Sequence, residues 1–239
     1  MFEKLKAQFI LNFIEGDRWK YLANGLANTL KITLSALVLG LVIGVIVAIV
    51  RSTWDKNAES MCPGPGKFFL GLANWFCKLY LTVIRGTPVV VQLMIIYYII
   101  FAASNNGVGI AMLAFGINSG AYVAEIIRGG IMSIDAGQFE AGRSLGLNYT
   151  QTMRHIIIPQ AFKNVLPALA NEFIVLLKET SVAGYVSVLD LTKGGDIIRG
   201  RTYSAFMPLI AVALIYLVLV IFFTWLVGRL ERRLRSSDH

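Results

Sequence analysis

Glu172 is the residue whose presence most needs explaining. It is a carboxylate set in the apolar run 165–177. At mid-membrane depth such a group costs a few kcal/mol even on the lenient insertion scale, so it is retained for a partner. One partner is internal: Lys163, nine residues earlier, or a backbone group. The other is a cationic group passing along a pathway. Glu179 lies seven residues on, two turns away on the same helix face. Pro167 stands one to two turns before Glu172 and can kink the helix so that the acid points inward. Two other apolar stretches supply neutral hydrogen-bonding groups. Gln92 sits in one, and Asn118 and Tyr122 in the other, with Glu125 continuing their face at i, i+4 and i+7. A few convergent polar groups in an apolar surround make a small-molecule site; the same groups also serve helix–helix hydrogen bonding. The pathway candidates are therefore Glu172, Glu179, Gln92, Asn118 and Tyr122.

A second constellation lies in the polar interval 134–159, IDAGQFEAGRSLGLNYTQTMRHIIIP. It predicts a short helix over 135–146. Asp135 suits the N-cap, and Gln138 three residues later completes the reciprocal pattern of a capping box. Gly146 after Leu145 can take the left-handed position that ends the helix. Such a helix is too short to span a bilayer, which needs ~20 residues, and is a good size for a knob in a partner's groove. Phe139 and Leu145 offer it apolar packing, and Glu140 and Arg143 polar contacts. An ordinary amphipathic linker is the plainer alternative.

The elements that must position these groups are membrane helices. The chain has 239 residues, 56% hydrophobic and 15% charged, too apolar for a soluble domain of this size. Long uncharged runs at 32–50, 88–124 and 205–228 are each able to cross ~30 Å of hydrocarbon. The expected spans are about 26–50, 88–103, 108–127, 155–178 and 205–228. The fourth holds Pro159 and Pro167 and should be kinked. The first contains Gly40 and Gly44 in the small-xxx-small spacing that lets helix backbones approach. Residues 68–84, apolar but carrying Lys78, fit an interfacial elbow or the cytoplasmic part of one interrupted helix. Residues 1–20 read as an exterior amphipathic lead-in with Phe2, Leu5, Phe9 and Phe13 at helical spacing. Residues 181–204 read as an exterior loop or short helix.

The net charge of +8 is read as topology rather than as a nucleic-acid footprint. Arg229, Arg232, Arg233 and Arg235 follow the last span and place the C-terminus in the cytoplasm. With five spans the N-terminus is outside. Lys4, Lys6, Arg18 and Lys20 weaken the bias. Other chemistry is excluded residue by residue. Gly66-Lys67 is no phosphate loop, because Phe follows the lysine and Met61 stands where the first glycine belongs. His155 and His239 lack metal-ligand company. Cys62 and Cys77 read as free thiols. Asn148-Tyr-Thr150 matches a glycosylation triplet, discounted in a cytoplasmic segment.

Glu140, Ala141 and Gly142, then Gly146, then Ile156 and Pro159, stand in the order and spacing of the Glu-Ala-Ala loop of ABC-importer membrane subunits. Two positions depart, Gly142 for the second Ala and Ile158 for Leu. Arg85-Gly-Thr-Pro with Gln92 in the following run, the segment 118–128 (NSGAYVAEIIR) and the segment 171–180 (NEFIVLLKET) resemble the same family. The chain is thus identified as a member of the membrane-spanning permease subunits of bacterial polar-amino-acid ABC importers, similar to the histidine, glutamine and glutamate/aspartate permeases. The resemblance implies an all-α integral membrane fold of type I importer kind, five transmembrane helices in one permease domain, in the bacterial inner membrane. It implies a second permease chain, identical or homologous, two ATPase subunits that hold ATP and Mg, and an extracytoplasmic amino-acid-binding protein. This chain would carry no cofactor or metal of its own and would not be an enzyme. The coupling residues carried over are Phe139, Glu140, Ala141, Gly142, Arg143, Leu145, Gly146, Ile156 and Pro159. The alternative class is a secondary amino acid transporter, which would need inverted repeats or paired broken helices; no repeat at a fixed period is evident.

Overall fold

The computed structural model describes residues 2–59 and 61–235 and is helical almost throughout. His239 and the extreme C-terminus lie outside the described residues, as do the side chains of Phe2, Arg233 and Arg235. The elements in order are α1 (Phe2–Phe9), α2 (Trp19–Asn57), α3 (Pro65–Gly86), α4 (Val89–Ile95), α5 (Gly107–Met132), α6 (Ala136–Ser144), α7 (Tyr149–Thr152), α8 (Ile158–Glu179), α9 (Leu191–Thr202) and α10 (Phe206–Arg235). Four described helices are long and apolar enough to cross a membrane: Trp19–Asn57, Pro65–Gly86, Gly107–Met132 and Phe206–Arg232. The 22 residues of α8 include Lys163, Glu172, Lys178 and Glu179, which lower its apolarity.

The expected spans differ from this at two places: α8, over the expected 155–178, is not among the four, and the stretch 68–103 divides differently. The segment 68–84 lies within a single unbroken 22-residue helix, α3, whereas 88–103 is helical only over Val89–Ile100. Twelve residues rise about 18 Å, short of a bilayer's hydrocarbon. The break between them has a local cause. Proline lacks an N–H and drives the residue before it to extended backbone; Thr87 (φ −125°, ψ 148°) and Pro88 (φ −64°, ψ 135°) are both extended. The Thr87 hydroxyl closes the end of α3 by donating to the Val83 carbonyl over 2.8 Å.

The chain divides into two compact units. The first takes the chain up to Leu37, then Pro88–Gly116 and Phe173–Leu226. Its larger core gathers Ile32, Leu93, Phe115, Leu176 and Val186, all buried. Its smaller core gathers Phe13, Leu22, Leu191, Ile198 and Val212. The segment 181–204 contains α9, capped by the buried Asp190, whose carboxylate accepts from the Thr192 and Lys193 amides. The buried Thr29 hydroxyl of α2 accepts from the Leu191 amide over 3.0 Å.

The second unit holds Val38–Thr87, Ile117–Glu172 and the chain from Val227. Gly40 and Gly44 let α2 lie against α5. A Cβ at Gly40 would meet the Ser119 side chain at 3.0 Å, and one at Gly44 would meet Val123 at 2.4 Å. The small-residue pair is thus used within the chain. Val47, Leu81, Ala121 and Ala124 form the core beside it, and the Tyr80 hydroxyl donates to the Ile117 carbonyl over 2.6 Å. A second core of Ile131, Ile134, Ile157 and Ala161 supports the segment around α6.

Candidate functional site

The expected fourth span, 155–178, opens on an irregular turn and continues as α8. Between α7 and α8 the turn Met153–Ile157 is wound as a π-helix, with the Ile158 N–H bonding back five residues to the Met153 carbonyl. Pro159 has no N–H to give the His155 carbonyl, so the regular ladder cannot run through this turn. Pro167 lies inside α8, five residues before Glu172.

Glu172 is 8% exposed, and its Oε1 accepts a 3.0 Å hydrogen bond from the Ser119 hydroxyl of α5. Ser119 is fully buried, so the pair is closed from solvent. Sequence reasoning passed over Ser119, although it adjoins Asn118; a serine in a span is easily read as mere small-residue packing. Asn118 is also buried, at 2% exposure. Tyr122, half-buried, lies one turn further along α5, with the Arg85 guanidinium 5.8 Å from its ring centroid. Glu172, Ser119, Asn118 and Tyr122 all belong to the second unit. Gln92 and Glu179 belong to the first, Gln92 buried in α4 beside Leu93 and Glu179 half-buried at the end of α8. Ser119 is a neutral donor and does not itself neutralise the carboxylate. The carboxylate can take a cation, such as an ammonium, as a further partner.

Glu125, Arg128 and Asp55 form a network that the sequence shows only as scattered charges. Arg128 reaches Glu125 at 3.0 Å and Asp55 at 3.3 Å; Arg51 lies 3.6 Å from Asp55, and Arg85 3.8 Å from Glu125. Arg51 also donates to the buried Asn74 over 2.6 Å.

The knob forms as a nine-residue helix, Ala136–Ser144. Asp135 caps it by accepting from the Gly137 amide over 2.7 Å. The reciprocal half of the expected capping box is not made there: the Gln138 side chain accepts from Gln160 over 3.2 Å instead. A full capping box occurs one helix later, where Asn148 and Gln151 exchange side-chain-to-backbone bonds of 2.9 Å. That accounts for Asn148 in the glycosylation-like triplet. The C-terminal end is a Schellman motif. The Leu147 N–H bonds to the Gly142 carbonyl, the Gly146 N–H bonds to Arg143, and Gly146 has φ +77°.

Of the coupling candidates, Glu140, Ala141, Arg143 and Gly146 are exposed, and Leu145 is 76% exposed. Phe139 was expected among the partner-facing residues. It packs instead on the chain's own core beside Ile131, Ile134 and Ile157, with Lys56 Nζ 4.5 Å from its ring centroid. Ile156 joins the same core, and Pro159 is exposed. Gly142 is buried because Thr152 lies over it: an added Cβ would meet Thr152 Cγ2 and Oγ1 at 2.7 Å. This is the physical reason for Gly where the related loops have Ala. Among the described residues no group of His, Cys, Asp and Glu could hold a metal ion.

Residues 64–236 match the family of binding-protein-dependent transport system inner membrane components. The chain is 41% identical over 167 residues to the arginine transport system permease protein ArtQ of Bacillus subtilis (strain 168), covering 69% of this chain and 76% of that one. It is 39% identical over 168 residues to the glutamine transport system permease protein GlnP of Escherichia coli (strain K12), covering 69% and 77%. Among solved structures, an amino acid ABC transporter crystallised with histidines superposes with a TM-score of 0.79 at 40% identity, over 90% of this chain and 94% of that one. An inward-facing MetNI methionine ABC transporter shares the fold, with a TM-score of 0.75 at 20% identity over 92% and 98%.

Proposed function

Because the chain belongs to the family of binding-protein-dependent transport system inner membrane components, we propose that it is the permease subunit of an importer for polar amino acids. ATP hydrolysis in this family lies in separate subunits, so the chain's work is conduction and coupling. The observation that carries the substrate class is the similarity, over nearly the whole chain, to a solved amino acid transporter. The exposed side chains of α6 support the coupling role. Glu140, Ala141, Arg143 and Leu145 stand out from a helix pinned to the rest of the chain by its buried face.

In this reading the N-terminus is outside and the C-terminus cytoplasmic. Residues 65–100 count as a single crossing interrupted at Thr87-Pro88. A second permease chain completes the pathway, two ATPase subunits bind from the cytoplasm around α6, and an external binding protein delivers the amino acid. Closure of the ATPases on ATP moves α6 as a rigid body, and the helices rock between inward- and outward-facing states. Glu172, held by Ser119, meets the ammonium of the passing amino acid, with Asn118 and Tyr122 as neutral polar groups of the same unit; Gln92 and Glu179 are the polar candidates of the first unit. The test is purification and reconstitution. An ATPase subunit should co-purify, and vesicles supplied with the binding protein should take up a polar amino acid only with ATP inside. Uptake without ATP, driven by an ion gradient, would overturn the proposal in favour of a secondary transporter.

A further inference from the structure

The second unit has an open cavity of about 620 Å³, of whose lining the pathway reading uses only Tyr122. Its polar lining is Arg51, Lys78, Thr82, Arg85, Tyr122 and Glu125. It lies at the α6 end of the unit: Arg51 and Asp55 close the C-terminal part of α2, Arg128 that of α5, and Lys56 beside them reaches Phe139 of α6.

The charges around it do not balance. Arg51, Lys78, Arg85 and Arg128 bring four cations, and Asp55 and Glu125 bring two anions, which leaves a surplus of two positive charges. Both acids are already shared between arginines. Lys78 is exposed and, among the described residues, makes no hydrogen bond or ion pair. The Arg51 Nε is buried without an acceptor among the described residues. The flank of α3 beside Lys78 is apolar and bare: Trp75, Phe76, Leu79 and Val83 are each between 46% and 57% exposed. A cavity with surplus positive charge next to an exposed aromatic and aliphatic helix face is complementary to one kind of molecule, an anionic headgroup on an acyl chain. Basic pockets between membrane helices at the cytoplasmic side bind acidic lipid headgroups in this way. A tryptophan at the headgroup level is in its preferred depth.

We propose that this cavity is a binding site for the phosphodiester headgroup of an anionic phospholipid of the inner leaflet, held by Lys78 and Arg85, with the acyl chains along α3. The proposal rests on the membrane placement and orientation given above but not on the substrate or the coupling assignment. Its readout is lipid retention, which does not depend on transport.

The experiment is native mass spectrometry of the purified complex after equilibration in vesicles of phosphatidylglycerol and phosphatidylcholine. The expected result is retention of phosphatidylglycerol over phosphatidylcholine. Each juxtamembrane cation contributes about a fivefold preference, so Lys78→Gln lowers retention about fivefold and Lys78→Gln with Arg85→Gln about thirtyfold. Lys78→Gln removes no internal bond and should leave the fold intact, and Glu125 keeps Arg128 when Arg85 is changed. Equal retention of both lipids, or undiminished retention by the double variant, would overturn the proposal. Displacement of the lipid by inorganic phosphate would make the cavity a free-anion site. Displacement by an amino acid would return it to the pathway. Either outcome overturns the lipid assignment while leaving the importer reading standing.

Discussion

Ser119 of α5 and Glu172 of α8, 53 residues apart in sequence, are joined by a 3.0 Å hydrogen bond between two buried side chains. The bond fixes one carboxylate oxygen through a neutral donor. Glu172→Gln keeps the shape and can still accept from Ser119, but removes the charge. A hydrogen bond to a charged group contributes about 1.5–3 kcal/mol, so the apparent affinity for transported amino acid should fall about ten- to a hundredfold with assembly unchanged. Ser119→Ala keeps the charge but removes this one donor, and should cost about 1–3 kcal/mol of stability. Uptake in reconstituted vesicles, with ATPase co-purification as the assembly control, separates the two. Parental uptake by Glu172→Gln would remove Glu172 from the pathway.

The orientation is open to a direct check with thiols the chain already carries. Cys62 is exposed in the short connection between α2 and α3, which is cytoplasmic in the proposed topology. Glu15 is exposed on the N-terminal segment and can be replaced without disturbing Asp17, whose backbone is left-handed at φ 54°. An impermeant maleimide on intact spheroplasts should label Glu15→Cys in a Cys62→Ser background, and should label Cys62 of the parent only after lysis. Labelling in the opposite order would invert the topology.

The sequence made the fold class legible because uncharged runs of membrane length have few other readings, and it placed α6 to within two residues at each end. Asp135 and Gly146 were readable because a cap and a left-handed C-terminus restrict residue type strongly. The division of 65–100 was harder. Lys78 argued against a span over 68–84, yet α3 forms there unbroken. Phe139 was assigned to the partner-facing side because an aromatic on a short polar helix looks like an anchor. Only the tertiary structure shows Ile131, Ile134 and Ile157 waiting beneath it. The Arg51–Asp55–Arg128–Glu125 network was invisible for the same reason. Its members lie up to 77 residues apart and are brought together by the packing of α2 on α5.

Gly142 and Thr152 test whether the departure from the related loops is local compensation. Gly142→Ala places a methyl 2.7 Å from two atoms of a buried, β-branched side chain. Overpacking of this kind costs about 1–3 kcal/mol. Thr152→Ala should relieve it, and also removes a hydroxyl that is buried without a partner among the described residues. The double variant should therefore be more stable than Gly142→Ala alone, measured by thermal unfolding in detergent. Additive effects of the two changes would show that Thr152 is not what excludes the second alanine.

Gly146 is the point at which the knob's shape and its proposed work meet. Space is not what demands glycine there, because an added Cβ would meet nothing within 4 Å. The backbone demands it: φ is +77°, and a left-handed residue with a Cβ costs about 1–2 kcal/mol. Asparagine and aspartate visit that region more readily than other side chains, so the two can be compared at nearly equal backbone cost. They differ in charge. An aspartate would set an anion beside the last carbonyls of α6, the negative end of the helix, where charge of that sign is unfavourable. It would also stand next to the exposed Leu145 and Arg143, on the surface proposed to meet the ATPase. Gly146→Asn should therefore keep most of the transport rate and retain the ATPase through purification. Gly146→Asp should release the ATPase and abolish ATP-driven uptake while the chain still inserts and, alone in detergent, unfolds within a few degrees of the parent. Retention of the ATPase and normal uptake by Gly146→Asp would mean that α6 is not the coupling element.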